Sequence, residues 1–263
     1  MNMKFSLLAT EGAHDQAAIC KFLHLLGLRS FRGDRKLLEE FWVNLLPNRR
    51  KSENIYAHED VHMPRFFTSQ THSIAVFQGS GSNLPQNLVD LFDSFDPYFR
   101  DISAFGVIVD AENRQPNLIA EEYADKLRKF FPAISSLPGA IVTQIPRTGV
   151  FILPDNSRQG TLDTFLVDCA SIAYPDHKSG ATQFLSGLDD AHKNHWGPFD
   201  FEKALVATIV SVVQPGIANT LSIRRDQWIS TRTIDALPQV ANLSKFLKDL
   251  LELPQTGDIL SKI

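Results

Sequence analysis

Phe5-Ser6-Leu7-Leu8-Ala9-Thr10 is an uncharged, largely apolar run followed by Glu11-Gly12-Ala13-His14-Asp15. Residues 4–9 read as a strand buried on both faces, as strands of parallel sheets are. Ala18, Ile19, Phe22, Leu23, Leu25 and Leu26 then recur at helical spacing, with Gly27 near the end. The same pattern returns at Phe105-Gly106-Val107-Ile108-Val109, which runs into Asp110-Ala111-Glu112. Parallel strands bring their carboxyl ends to one rim, where open α/β sheets place their ligands. Several carboxylates held there repel one another unless a hard cation lies between them. Mg²⁺ is the usual choice, because it takes a few carboxylates and completes its octahedron with water or phosphate. The two motifs therefore predict a metal-dependent phosphoryl-transfer site.

Working outward, the first two-thirds of the chain alternates apolar runs with helical patterns, which predicts a parallel sheet. Residues 35–46 read as a helix, and 47–70 as a polar, irregular insertion. Ser73–Phe77 reads as a strand that leaves through the loop Gly79-Ser80-Gly81-Ser82-Asn83. Leu88, Leu91, Phe92 and Phe95 fall at helical spacing up to Pro97. A further helix starts near Pro116, a favoured first-turn residue. Val150-Phe151-Ile152-Leu153 reads as the next strand, running into Pro154-Asp155-Asn156 and Gly160-Thr161-Leu162-Asp163. Residues 161–173 and 199–213 read as helices, and the tail is helical to about Leu253. No internal repeat or low-complexity tract is present.

The 263 residues are 43% hydrophobic and 21% charged, which fits a globular chain. No apolar stretch approaches the roughly 20 residues a membrane-spanning helix needs. The N-terminal residues lack a basic segment followed by a small-residue cleavage site, so no signal peptide is expected. Cys20 and Cys169 fall in apolar helical runs and are expected to be buried free thiols, in keeping with the cytoplasm. A net charge of −4 argues against a surface that coats nucleic acid broadly. Between Arg29 and Lys51, however, seven basic residues stand against three acidic ones. Arg49, Arg50 and Lys51 are the candidate contacts to a phosphate backbone, with a solvated surface as the alternative.

Glu11-Gly12 and Asp110-Ala111-Glu112, in this order and at successive strand ends, resemble the Toprim superfamily of topoisomerases, primases and OLD-type nucleases. Asp15, four residues after Glu11, matches the Glu-Gly-x-x-Asp form of the OLD-nuclease-like branch. The run from Gly149 to Asp163 resembles a small uncharacterised stand-alone bacterial Toprim family. The resemblance spans residues 4–170 and departs at Glu112, where the Asp-x-Asp pattern has a second aspartate. It implies a Toprim-like (Rossmann-like) α/β domain over 1–175, with 31–70 as an insertion. Residues 176–263 would form a mostly helical C-terminal extension packed on that domain.

The resemblance also implies roles. Glu11 and Asp110 would ligate Mg²⁺ (or Mn²⁺) directly, and Glu112 and Asp15 directly or through water. Asp163 would hold a second ion, with Asp155 a further candidate and helix capping the rival for Asp163. A metal pair would polarise the scissile phosphate and activate water. Lys203, and after it Lys193, are the candidate cations for the transferring phosphoryl group. Gly12 is expected to permit a tight turn where a side chain is excluded.

Other signals compete. His58-Glu59-Asp60-Val61-His62 matches H-E-x-x-H, which needs a helix and a third ligand to form a zinc protease. Pro64 biases Met63 away from helical geometry and weakens that assignment. The glycine loop at 79–83 has neither P-loop nor Rossmann spacing and reads as a turn. His192 and His195 flank a lysine and read as a solvated loop, and Trp42, Trp196 and Trp228 as packing residues. The expectation is a Mg²⁺-dependent nuclease acting on DNA or RNA. The chain has no ATPase motif, so an ATPase that it assists in bacterial defence or repair would be a separate chain. The alternatives are a non-catalytic Toprim binding module and the zinc protease.

Overall fold

The computed structural model describes residues 3–33, 35–43, 45–46, 63–79, 81–94 and 100–254. In chain order the strands are β1 (Lys4–Thr10), β2 (Arg29–Ser30), β3 (Arg65–Thr68), β4 (His72–Gln78), β5 (Ile102–Asp110), β6 (Ile141–Val142) and β7 (Arg147–Leu153). They form one seven-stranded sheet in the order β2-β3-β4-β1-β5-β7-β6. The central four, β4-β1-β5-β7, are parallel. The short strands at both edges are antiparallel to their neighbours. The fold is thus mixed α/β with a mostly parallel sheet flanked by helices, as the two opening motifs predict.

Both faces are covered, which is why the central strands read as continuous apolar runs. On one face lie α1 (Ala13–Leu25), α5 (Leu162–Ala173), α8 (Asp200–Val213) and α11 (Pro238–Leu251). Their buried residues join Leu8, Ile74, Ile108 and Phe151 of the strands in one core. The other face packs α3 (Leu84–Ser94) and α4 (Pro116–Leu127) against Leu7, Ala9, Phe105, Val107 and Ile152. Here Phe105 stacks on Phe131 with centroids 4.8 Å apart, and Phe92 meets both rings.

Glycines admit α11 to the sheet. Gly106 and Gly149 face each other across β5 and β7. A Cβ at Gly106 would lie 2.5 Å from Leu250 Cδ2, and one at Gly149 would lie 2.8 Å from Phe246 Cε2. The C-terminal turn of α11 is then clamped by the strands. His72 Nε2–H donates to the Leu251 carbonyl at 2.9 Å, and Arg147 donates to the carbonyls of Asp249 and Leu250. Cationic and N–H donors suit the exposed carbonyls of a helix end. The C-terminal helices therefore complete the core of the first 175 residues.

Two expectations need correction. The helix expected over 35–46 is a 3₁₀ turn at Arg35–Leu37 followed by the single-turn helix α2 (Glu40–Val43). Trp42 is buried and donates to Ser73 Oγ at 2.8 Å, whereas Leu37 is 73% exposed, so the segment buries single residues instead of one helical stripe. The insertion expected to be irregular through residue 70 contains β3, whose Phe66 and Phe67 are buried as β3 pairs with β4. Cys20 and Cys169 are buried free thiols, and Trp228 is fully buried, as expected. Among the described residues no helix is long and apolar enough to cross a membrane.

Candidate metal centre

β1 and β5 are neighbours in the parallel core, with Thr10 opposite Ile108, so Glu11 and Asp110 leave the sheet on the same rim. By strand alternation Thr10, Gln78 and Asp110 face the side covered by α1 and α5. α1 begins just after Glu11 and brings Asp15 in its first turn; α5 does the same with Asp163. Glu112 follows β5 and exchanges two backbone hydrogen bonds with Gly160, at 2.7 and 2.9 Å. That bridge holds Glu112 at φ +51°, a left-handed conformation that costs a non-glycine residue roughly 1–2 kcal/mol. Four chain segments thus deliver five acids to one rim.

The acids act on one another's acidity. Burial first, then the charges of Asp15 and Glu112, push Glu11 up to about 7. Asp15 is pushed up to about 7 by burial and by Asp163, against the opposing hydrogen bond from Gly12. Asp110 lies well above the usual carboxylate range through burial and the charges of Asp15 and Glu11. Burial raises Asp163, while His14 and Lys203 beside it pull the other way. Carboxylates raised by burial and by one another at a strand-end crevice are candidates for a functional site.

Two of the carboxylates already have protein donors. The Gly12 N–H donates to Asp15 Oδ2 at 2.8 Å, and the Leu162 N–H donates to Asp110 Oδ1 at 2.8 Å. Each acid thereby also caps the first turn of a helix. Gly12 is explained by the same contact. Its φ of −134° is ordinary, but a Cβ there would lie 3.2 Å from Asp15 Oδ2. The tight turn from β1 to α1 is there, and what crowds a side chain at Gly12 is the Asp15 carboxylate. Among the described residues no three His, Cys, Asp or Glu side chains lie in a group that could hold a metal ion as placed. The donor set nevertheless fits a hard cation, being all oxygen and mutually repulsive. Gln78, at the same rim, adds a buried Oε1 that has no hydrogen-bond partner.

The remaining candidates separate. The cap of α5 is Thr161, whose Oγ1 accepts from the Thr164 N–H, and Asp163 is the acid of that helix's first turn, where the helix dipole also favours it. Asp155 belongs to a turn: it accepts from Ser157 and Arg158, and those bonds hold it below its ordinary range against the effect of burial. Its partner Arg158 also reaches Asp168. Lys203 is exposed and pairs with Asp200 at 3.2 Å, yet it is near enough to lower Asp163. Lys193 pairs with Asp190 and lies in α7 (Asp190–Lys193) together with the exposed His192. Arg49, Arg50, Lys51, His58 and His62 lie outside the described residues. Sequence reasoning missed Gln78, whose only signal is a polar side chain closing an apolar strand.

Fold and rim together define an α/β protein with a mostly parallel sheet and an acidic crevice at its carboxyl edge. The chain belongs to the family described as protein of unknown function (DUF3226), whose profile matches residues 6–252. No curated protein matches it significantly. Among solved structures it is similar to the crystal structure of hypothetical protein PH0156 from Pyrococcus horikoshii OT3. The two are 18% identical with a TM-score of 0.55, over 98% of this chain and 100% of that one. At that identity the likeness is one of fold.

Proposed function

We propose that this chain is a Toprim-like, Mg²⁺-dependent nuclease that hydrolyses phosphodiester bonds of DNA or RNA. The observation that carries the proposal is the convergence of Glu11, Asp15 and Asp110 at one rim, where burial first and neighbouring carboxylates second raise all three. The helix-cap hydrogen bonds of Asp15 and Asp110 do not require Glu11 and Glu112 beside them, and the repulsion within the group would be relieved by a divalent cation. Glu11 and Asp110 would hold Mg²⁺ (or Mn²⁺), supported by Asp15, Glu112 and Asp163. When bound, the ion supplies Lewis-acid polarisation of the phosphodiester and a more acidic water. The chain's own residues do the rest. Glu11 and Asp15, both raised to about 7, would hold the ion in their ionised form, and the Leu162 N–H keeps Asp110 oriented. Lys203 offsets negative charge beside Asp163.

Divalent-dependent cleavage of plasmid, single-stranded DNA and structured RNA tests the proposal, with the purified protein alone and with an ATPase partner. Absence of cleavage under every condition sinks it. A second reading, a non-catalytic binding module, is favoured by one observation: the Asp15 and Asp110 carboxylates each already accept a backbone N–H. Under that reading divalent ions bind, or fail to bind, with no turnover in either case.

A further inference from the structure

On the far side of α1 from the acidic rim lies a cavity of about 410 Å³ between that helix, the β2–β3 edge and α9 (Asn219–Arg225). Arg32, Arg65, Arg224 and Arg225 line it together with His24. Among the described residues no aspartate or glutamate does. Ser30 adds a hydroxyl 2.9 Å from His24 Nε2, and the half-buried Phe31 adds an aromatic ring. A second cavity of about 270 Å³ shares Cys20, Arg65 and Arg224 with the first and reaches Ala13 and Gln16, next to Asp15. Burial, then Arg32, Lys21 and Arg224, hold His24 below its ordinary value. Arg65 and Arg224 oppose the burial that pushes the Cys20 thiol up to about 12.

The exposed guanidiniums of Arg32 and Arg225 suit a phosphate, which they bind through paired N–H donors, and Arg65 and Arg224 add positive charge to the same concavity. The volume lies within the range of small-ligand pockets and admits one nucleotide unit, not a duplex. An unpaired base can stack on an aromatic ring such as that of Phe31. We propose that this cavity binds a phosphate-bearing nucleotide unit of single-stranded nucleic acid. It would hold the strand about 13 Å along α1 from the acidic rim, given about 1.5 Å of rise for each of the nine residues from Asp15 to His24. A few nucleotides at about 3.4 Å or more each span that distance. The pocket stands on its own residues; the placement of the strand relative to the rim rests on the nuclease reading.

The test is fluorescence anisotropy of a labelled oligothymidylate with the full chain in EDTA, so that cleavage plays no part. Thymidine monophosphate, inorganic phosphate and thymidine serve as competitors. Arg32 and Arg225 are exposed, so the Arg32→Ala/Arg225→Ala double variant should keep its melting curve while binding about tenfold or more weakly. Its salt dependence should flatten by about 0.7 per lost phosphate contact. Thymidine monophosphate and phosphate should compete, thymidine should not, and the oligonucleotide should bind more tightly than the mononucleotide. Unchanged affinity in the folded double variant overturns the proposal. So does competition by thymidine equal to that of the nucleotide, or tighter binding of a duplex. Should the double variant fail to fold, Arg225→Glu alone carries the same expectation. Pocket binding without any wild-type cleavage would refute the nuclease and leave the pocket standing; cleavage without pocket binding would do the reverse.

Discussion

Asp110 Oδ1 accepts the backbone N–H of Leu162 at 2.8 Å, tying the end of β5 to the first turn of α5 across fifty-two residues of sequence. One side chain thus belongs to the acidic rim and to the fold at once. Removing it by truncation would confuse the two roles, because losing a helix cap costs about 1 kcal/mol.

Asp110→Asn separates them. The amide oxygen still accepts the Leu162 N–H, while the charge that Asp15 and Glu11 oppose is gone. The expected result is loss of divalent-dependent cleavage with a metal-free melting temperature equal to or above that of wild type near neutral pH. Active sites commonly trade stability for function in this direction. Cleavage surviving in Asp110→Asn would remove the residue from the site. A lower melting temperature would mean that its charge is structurally paired.

The raised acids also set the pH dependence of stability. Glu11 has an ordinary value of 4.5 and stands near 7 in the folded chain. Between those values the folded state binds more protons than the unfolded state, so stability falls as pH rises. Its contribution is fully present below about pH 4.5 and lost as pH passes about 7. Asp15 and Asp110 are shifted in the same direction and add to the trend. The metal-free melting temperature should therefore fall from mildly acidic to mildly alkaline pH. Millimolar Mg²⁺ should restore it on the alkaline side and do little on the acidic side, because the ion binds only the folded, deprotonated rim. A metal-free profile that rises with pH, or a Mg²⁺ shift of equal size at both ends, would contradict the site.

The opening motifs made the central sheet and its acidic rim legible because parallel strands buried on both faces are uninterrupted apolar runs. The edge strands were not legible. β2 and β6 have two residues each, and β3 begins on an arginine, so none offers enough alternation to read. The segment from 35 to 46 has leucines and aromatics at helical spacing, but tertiary packing takes Trp42 alone inward and leaves Leu37 in solvent. At the rim, the acids could be read from their positions at strand ends. Their hydrogen bonds could not, because which N–H lands opposite Asp110 depends on where α5 starts. The arginine pocket was hidden for the same reason. Arg32, Arg65 and Arg224 are brought together only when α9 packs on α1.

Glu112 tests whether backbone strain is kept for function. It holds φ +51° in its two-way bridge with Gly160, where glycine would sit without penalty. Glu112→Gly should relieve roughly 1–2 kcal/mol of strain, partly offset by about 0.4–1 kcal/mol of added freedom in the unfolded chain. The expected outcome is unchanged or slightly raised stability in urea together with reduced divalent-dependent cleavage. Stability lost by more than about 1 kcal/mol, with cleavage intact, would assign Glu112 to the fold alone.

The last prediction concerns the unity of the core. A boundary near residue 175 implies that the preceding residues fold as a separate body. The structure puts Val240, Leu243, Phe246, Leu247 and Leu250 of α11 in the same cluster as Leu8, Ile108 and Phe151. Removing everything after residue 175 would expose that sheet face and abandon the carbonyl clamps made by His72 and Arg147. Each large apolar side chain left without cover forfeits about 1.5–3 kcal/mol, so the five together forfeit roughly 7.5–15 kcal/mol, as much as holds a typical domain together. The 1–175 fragment should therefore show no cooperative thermal transition. A milder probe guards against trivial failure of the fragment. Gly149→Ala puts a methyl 2.8 Å from Phe246 Cε2, next to the Ala140 carbonyl at 3.1 Å. It should lower the stability of the full chain by about 1–3 kcal/mol, because overpacking forces α11 off the sheet. If the fragment melts cooperatively and Gly149→Ala leaves the full chain unchanged, the C-terminal helices are an appendage and the boundary at 175 stands.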